Sequence, residues 1–281
     1  MTDIQKIASR DHSKLTFVSK VRDGKVAEKI FIEGIRLAEE ALRSKLSIEN
    51  CFISTGFGGA NRSRELLDEL IRRKLPVFQV AAKMFQSLAD TKNSQGIILI
   101  ADKPSGAIPS IEDNLRVDSS GFFLVIFLYE INDPSNLGAV FRTAEAAGVA
   151  GIILSNGSAD AFSPKAVRSA MGANFRIPVW EKADLDDVLE WTTELDLRSV
   201  AADINGANVY TSIDWKIPSL LVFGSEAHGL SREVREKIDE IIYIPMKNTV
   251  ESLNLSVSCG VILFEAVRQN LSVGNSCHGI D

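Results

Sequence analysis

The stretch NDPSNLGAVFRTAEAAGV, residues 132–149, follows the apolar run FFLVIFLYE, residues 122–130. The apolar run predicts a buried strand. After it we expect Asn136 to cap a helix that begins at Leu137, with Arg142 about a turn and a half into that helix. Ligands of open α/β sheets bind beyond the carboxyl ends of strands, so polar groups at this place predict a ligand site.

Two later stretches repeat this arrangement. LLVFGSEAHGLS, residues 220–231, begins with a strand that runs into a polar loop, and IPMKNTVESLNLSVS, residues 244–258, begins where a strand ends and a polar loop follows. Taken singly, each loop fits ordinary turn and capping chemistry. Together the loops carry more polar side chains than that chemistry requires, and they predict one shared site at one edge of a sheet.

Strands and helices alternate along the chain, which predicts an α/β fold. In the first part we expect a mainly parallel sheet with strands at 29–33, 51–54, 76–80 and 96–101, and helices at 35–46, 61–74 and 81–90. In the second part we expect strands at 122–129, 151–154, 198–202, 219–223 and 240–244, a weaker strand at 177–180, and helices at 137–147, 164–171, 184–195, 231–238 and 255–269.

These elements predict two domains. The first covers residues 1–102 and the second residues 119–270. Residues 103–118 carry two prolines and a glycine and are interpreted as a linker or connecting loop, and residues 271–281 as a flexible tail.

Composition excludes several classes of protein. The 281 residues are 45% hydrophobic and 24% charged, as in an ordinary soluble globular protein. The longest apolar run is too short to span a bilayer and the start is too polar for a signal peptide, so we expect a cytoplasmic protein without membrane contact. Three cysteines and three histidines, none at metal-ligand spacing, predict no disulfide framework and no metal site.

Charge is distributed unevenly. The net charge is −6, but residues 1–110 hold 18 Lys/Arg against 13 Asp/Glu, a net of +5, and residues 111–281 hold 13 against 24, a net of −11. A basic first part suits a phosphate backbone. The alternative, that both parts are simply solvated surfaces, fits the charge pattern equally well.

The three quoted stretches resemble, in order and spacing, the three motifs of the SpoU family of RNA ribose 2′-O-methyltransferases, in the SPOUT superfamily. The resemblance covers about residues 120–270. It implies a trefoil-knotted parallel-sheet methyltransferase domain. KIFIEGIRLAEEAL and QGIILIA in the first part resemble a small α/β substrate-binding domain related to a ribosomal-protein fold.

The resemblance also implies a reaction and its partners. S-adenosylmethionine would donate a methyl group to a ribose of RNA, with large-subunit (23S) ribosomal RNA favoured over transfer RNA. The protein would be a homodimer through its C-terminal domain, with the first motif near the subunit boundary. A catalytically silent RNA-binding protein is a further alternative, against which the complete set of motif residues argues.

The resemblance assigns site residues as well. Those matching the catalytic positions are Arg142, Asn136, Glu226, Ser252 and Asn254, and those matching cofactor-binding positions are Gly224, Ile244, Leu253, Ser225 and Met246. A guanidinium keeps its proton at neutral pH, so we expect Arg142 to hold a phosphate and stabilise a developing alkoxide. Ser225 and Asn248 depart from the family pattern, where many relatives have Asn and Gly.

A dinucleotide-binding enzyme is a rival interpretation. STGFGGANRS, residues 54–63, resembles a glycine-rich fingerprint through Gly56 and Gly58. Asn61 stands where the third glycine belongs, and no acidic residue ends the following strand, 77–80. The sequence therefore disfavours NAD binding.

Overall fold

The computed structural model describes residues 4–105, 107–117, 123–247 and 252–271. The strands are β1 (Gln5–Ile7), β2 (Lys29–Glu33), β3 (Ile48–Ser54), β4 (Val77–Val80), β5 (Ile97–Asp102), β6 (Leu124–Leu128), β7 (Gly151–Ser155), β8 (Val179–Ala183), β9 (Arg198–Ala202), β10 (Asn208–Val209), β11 (Ser219–Phe223) and β12 (Glu240–Tyr243). The helices are α1 (Ser13–Arg22), α2 (Ile35–Arg43), α3 (Asn61–Arg72), α4 (Ala82–Leu88), α5 (Ala107–Val117), α6 (Pro134–Ala147), α7 (Pro164–Ala170), α8 (Leu185–Glu194), α9 (Arg232–Arg235) and α10 (Leu255–Asn270).

The chain divides into two compact units. Unit 1 consists of Met1–Ser105 and Ala161–Arg176, and unit 2 of Gly106–Asp160 and Ile177–Asp281. Unit 1 therefore includes α7, which packs on β2. The sequence-based domain bounds place this segment in the second domain, and those bounds stay a prediction. The expected tail lies outside the described residues from position 272 onward.

The sheet of unit 1 is mainly parallel, as predicted, but one strand, β5, runs against the other four described strands. Its order is β1-β4-β3-β5-β2, in which β4 runs parallel to β1 and β3 whereas β5 runs antiparallel to β3 and β2. The backbone N–H of Ser54 donates to the carbonyl of Gly96 at 2.9 Å, so β5 enters at the edge where β3 ends. Alternation of strands and helices does not determine this direction.

Aliphatic and phenylalanine side chains form the core of unit 1. Phe31, Phe52 and Phe78 are buried on the sheet, and the rings of Phe52 and Phe78 stack 5.4 Å apart. Helix α1, which the sequence analysis did not predict, buries Leu15 and Val18 against this cluster.

The sheet of unit 2 is parallel, which confirms the predicted fold class. Its order is β10-β12-β9-β11-β6-β7-β8, and every adjacent pair is parallel. Strands β6, β7 and β11 are buried along their whole length, as parallel strands covered on both faces should be. The carboxyl ends of β6, β9, β11 and β12 consequently lie at one edge. The trefoil knot stays a prediction.

The expected connecting loop over residues 103–118 contains helix α5. Its Ile111 is fully buried, and a Cβ built on Gly151 would lie only 2.4 Å from Cγ1 of Ile111. Pro109 is the third residue of α5, where a backbone N–H has no partner within the helix, and so it does not break the helix.

Helix α6 begins three residues earlier than predicted. The carboxylate of Asp133 accepts from the backbone N–H of Ser135 at 2.9 Å, and Pro134 occupies the first helical position. Asn136 is therefore not the cap, and its side chain is available for other contacts. Asn254 caps α10 by accepting from the backbone N–H of Ser256.

Within the ranges that the structure describes, no helix is long and apolar enough to cross a membrane.

Candidate active site

A cavity of about 660 Å³ opens at the edge where β9, β11 and β12 end. The predicted site residues that line it are Asn136, Gly224, Ser225, Glu226, Ile244, Met246, Ser252, Leu253 and Asn254. Three sequence stretches that lie up to about 120 residues apart thus meet at one place. Asn248 of the third stretch lies outside the described residues.

Side-chain hydrogen bonds connect the three stretches. The amide nitrogen of Asn136 donates to Oε1 of Glu226 at 3.2 Å, and Oδ1 of Asn136 accepts from the amide nitrogen of Asn254 at 2.9 Å. The backbone N–H of Asn132 donates to Oε2 of Glu226 at 3.3 Å. Asn136 therefore lies at the centre of a polar chain that fixes the loops after β6 and β11 relative to the start of α10.

The loop after β11 turns back on itself at Gly224. A Cβ built there would lie 2.4 Å from the carbonyl carbon of Gly229 and 2.7 Å from the backbone nitrogen of Leu230. The backbone N–H of Gly229 donates to the carbonyl of Ser225 at 2.8 Å, which closes the turn. Only glycine fits at position 224, so the wall of the cavity is formed there by backbone rather than by a side chain.

Arg142 lies outside this cavity. It is exposed on α6 and forms no hydrogen bond or ion pair with any described residue. Six residues separate it from Asn136, which on an α-helix corresponds to roughly 120° of rotation. The structure therefore brings together every predicted site residue except the arginine.

The sequence analysis missed Asp203, which also lines the cavity. Its side chain is 8% exposed, and its Oδ1 accepts from the backbone N–H of Asn205 at 2.8 Å and lies 3.5 Å from Nη1 of Arg235. Asp203 directly follows β9, so the rule that ligands bind at the carboxyl ends of strands could have found it.

No group of histidine, cysteine, aspartate and glutamate side chains within the described ranges could hold a metal ion. The polar wall of the cavity instead offers amides, carboxylates and backbone groups, which bind and orient an organic ligand.

Comparison with protein families matches residues 123–264 to the SpoU rRNA methylase family and residues 31–107 to the RNA 2′-O ribose methyltransferase substrate-binding domain. The chain is 34% identical to the 23S rRNA (guanosine-2′-O-)-methyltransferase RlmB of Bordetella pertussis, over 74% of the chain and 84% of that protein. It is 29% identical to an uncharacterised tRNA/rRNA methyltransferase of Synechocystis, over 95% of each.

Among solved structures, the AdoMet-bound rRNA methyltransferase of Sinorhizobium meliloti superposes with a TM-score of 0.81 at 26% identity, over 96% of this chain and 99% of that one. The family match covers the loops that build the cavity, and the similarity to this structure extends over both units. The chain therefore belongs to the SpoU rRNA methylase family and is an RNA methyltransferase.

Proposed function

We propose that this protein transfers the methyl group of S-adenosylmethionine to a ribose 2′-oxygen of large-subunit ribosomal RNA. The observation that carries the proposal is the convergence of the three motif loops on one cavity. The relative RlmB is named for 2′-O-methylation of guanosine in 23S rRNA, and the Sinorhizobium structure is described as AdoMet-bound.

The cavity suits S-adenosylmethionine in size and lining. Its volume of about 660 Å³ lies within the range of roughly 300–1,000 Å³ typical of small-molecule sites. Gly224, Ile244, Met246 and Leu253 line it. When bound, the cofactor supplies an electrophilic methyl group.

The protein residues then have to position a ribose hydroxyl and stabilise the charge that develops on its oxygen. The chain from Glu226 through Asn136 to Asn254 holds the loops in place. Ser252, exposed at the cavity wall, and Asn254 orient the ribose. Such groups act without reorganisation because the hydrogen bonds among them already exist in the free protein.

Arg142 completes the site from a second copy of the chain. In its own subunit it lies outside the cavity and pairs with no described residue, so its charge remains free for a partner's substrate. Helix α6, which carries Arg142, packs along α10, where Val257 and Phe264 are each 50% exposed. Exposed apolar side chains on a terminal helix favour association, and we place the homodimer contact there.

Methyl transfer to bulk RNA tests this function. The purified protein is incubated with tritiated S-adenosylmethionine and with ribosomal RNA or transfer RNA in parallel, and labelled RNA is then hydrolysed with alkali. A 2′-O-methyl group blocks cleavage at its own linkage, so we expect label in alkali-resistant dinucleotides from ribosomal RNA. Label on bases would contradict ribose methylation, label in transfer RNA alone would favour the transfer RNA alternative, and no label would favour a silent RNA-binding protein.

A further inference from the structure

Unit 1 contains a second cavity, of about 510 Å³, whose lining includes no residue of the three motif stretches. The beginning of α2, the loop over residues 91–95 and helix α7 form its walls. Because α7 belongs to unit 1, the whole cavity lies within this unit. Its volume lies in the range of small-ligand sites.

The two acidic groups beside this cavity, Glu33 and Asp90, already have hydrogen-bond or ion-pair partners within the protein. Glu33 is 6% exposed, and its carboxylate accepts from the backbone N–H groups of Asp90 and Thr91 at 2.8 and 3.1 Å and from Oγ1 of Thr91 at 2.6 Å. The carboxylate of Asp90 pairs with Arg168 at 2.5 Å. These contacts hold the loop and α7 in place.

Two cations of the lining remain without partners. Both Arg36, in the first turn of α2, and Lys92, on the loop, are exposed, and neither the guanidinium of Arg36 nor the ammonium of Lys92 forms a hydrogen bond or ion pair with any described residue. Unpaired cations on the wall of a cavity attract an anion, and a helix start supports one. Leu37 and Met171 add apolar surface to the same cavity.

Most other basic residues of unit 1 are engaged within the protein. Arg62 forms two hydrogen bonds with Glu39, at 2.8 and 2.6 Å, and Arg73 pairs with Glu69 at 2.6 Å. Arg22 pairs with Asp23 and donates to two backbone carbonyls. Positive charge that is free to meet phosphate is therefore concentrated at fewer places than the sequence suggests.

We propose that this cavity binds an unpaired nucleotide of the RNA substrate, with a phosphate at Arg36 and Lys92 and the base against Leu37 and Met171. The proposal rests on the proposed function, because it makes RNA the ligand. An unpaired base is required, since a base in a duplex is stacked and cannot enter a cavity. Single strands are bound by this combination of cations and a surface for the base.

Fluorescence anisotropy with a labelled 12-nucleotide single-stranded RNA tests the site. The double variant Arg36→Gln/Lys92→Gln is compared with Lys6→Gln/Lys83→Gln, which removes the same charge from exposed lysines of unit 1 outside the cavity. We expect the first variant to bind about tenfold or more weakly at physiological salt, and the second less than twofold. The slope of log affinity against log salt should flatten by roughly 0.7 for each phosphate that the variant no longer binds.

Three results would overturn the site. They are equal losses in the two variants, no loss in either, and equally tight binding of an RNA duplex of the same length. Saturation by a free nucleoside monophosphate that RNA does not displace would make the ligand a metabolite instead of RNA and would also overturn the proposal.

The methyl-transfer assay separates this proposal from the proposed function. If the native protein methylates ribosomal RNA and the cavity variant keeps its RNA affinity, only the second site is refuted. If the native protein transfers no methyl group to RNA, the proposed function itself is refuted, whatever the binding data show.

Discussion

Asn136 is the residue through which the loops of the active-site cavity meet. It donates to Glu226 and accepts from Asn254, so its truncation breaks two hydrogen bonds and leaves a carboxylate oxygen without a donor. We expect Asn136→Ala to slow single-turnover methyl transfer about 10- to 100-fold, since a hydrogen bond to a charged group contributes about 1.5–3 kcal/mol.

A double-mutant cycle with Glu226→Ala checks this prediction. Because each single change removes the hydrogen bond between Asn136 and Glu226, the double variant should lose little more activity than the worse single variant. Asn208→Ala, on the exposed strand β10, should keep the native rate. Additive losses would mean that Asn136 and Glu226 act independently.

Arg142 should affect chemistry without affecting cofactor binding. We expect Arg142→Ala to reduce methyl transfer at least about 100-fold, because one preorganised charge at a reacting oxygen contributes that much. The affinity for S-adenosylmethionine, measured by calorimetry, should change less than twofold, since Arg142 does not line the cavity. Arg232→Ala, at another exposed arginine, on α9, is the control. Comparable losses of binding and rate in the Arg142 variant would contradict its assigned role.

Lys29 links two carboxylates on the sheet of unit 1, those of Glu49 and Asp102. Its ammonium lies 2.6 Å from both Glu49 and Asp102, and the hydrogen bond from Lys29 lowers the pKa of Asp102, while those to Asp102 and Glu49 raise the pKa of Lys29. The contribution of the Asp102 carboxylate to the free energy of unfolding is present above about pH 4 and is lost as pH falls through its depressed pKa. The contribution of the Lys29 ammonium is lost as pH rises through its raised pKa, above about 10.4.

We therefore expect Lys29→Met to lower the free energy of unfolding by about 0.5–1 kcal/mol at pH 7, a modest value because both carboxylates are more than 40% exposed. Urea unfolding at pH 7 and at pH 3 measures it, and the difference between native and variant protein should shrink at pH 3. Lys29→Arg should lower the free energy of unfolding less than Lys29→Met does. If the difference between native and Lys29→Met protein does not depend on pH, packing rather than charge is responsible.

At the scale of elements, the strands that position the active site are predictable from the sequence. They are buried along their whole length, and so each stands out as a continuous apolar run. Strands β6 and β11 lie where the runs 122–129 and 219–223 predict them. Helix α5 was not predicted, because a proline indicates a loop unless it is known to lie in the first turn of a helix. The reversed direction of β5 in unit 1 was not predicted either, because it depends on where the chain re-enters the sheet.

The residues that line the active-site cavity were predictable from the sequence about as well as the elements of the fold. The motif residues converge because parallel strands end at one edge, which the sequence pattern implies. Asp203 was missed although it follows β9 at the same edge, since no motif marks it. The distance of Arg142 from the cavity depends on where α6 begins and how it turns, and neither can be read from spacing alone.

Helix α10 should carry the dimer contact through its exposed apolar face. We expect Phe264→Glu to convert a dimer into a monomer at micromolar concentration, because a carboxylate buried in an apolar interface costs more than the interface gains. Ile217→Glu, at an apolar position elsewhere in unit 2 with 43% exposure, should leave the dimer intact. Light scattering measures both, and a native monomer, or a dimer that survives Phe264→Glu, would place the contact elsewhere.

A mixing experiment tests whether Arg142 acts across that contact. Arg142→Ala and Glu226→Ala are each expected to be strongly impaired as homodimers. If the arginine serves the partner's cavity, a mixed dimer contains one cavity with all its groups, and mixing should restore up to about a quarter of native activity when subunits exchange at random. Activity that stays at the level of the separate variants would show that each subunit uses its own arginine.

At the scale of the whole molecule, residues 161–176 decide how the chain can be divided. Helix α7 buries Ala166, Val167 and Ala170 within unit 1, and Ser163 caps its start by accepting from the backbone N–H of Ala166. A protein consisting of residues 111–281 retains α7 but lacks the surface that covers it. We expect trypsin to cleave this fragment rapidly after Lys165 or Arg168 while sparing the same bonds in the full chain.

Mass spectrometry of the early digestion products measures this. Cleavage after Arg232, on α9 of unit 2, serves as the internal reference because both proteins contain this helix whole. Equal cleavage within residues 161–176 in the two proteins would mean that α7 does not need the rest of unit 1.

The same arrangement has a consequence for the order in which the protein is made. A ribosome releases all of β1 to β5 before β6, α6 and β7, and only then the helix that completes unit 1. At the usual rate of about 5–20 residues per second, the interval between the end of β5 and Arg176 is roughly 4–15 s. During this interval the surface of β2 against which α7 later packs is exposed to solvent and can be bound by chaperones. Unit 1 is thus the first part of the chain to begin folding, but it cannot finish until several elements of unit 2 have been translated.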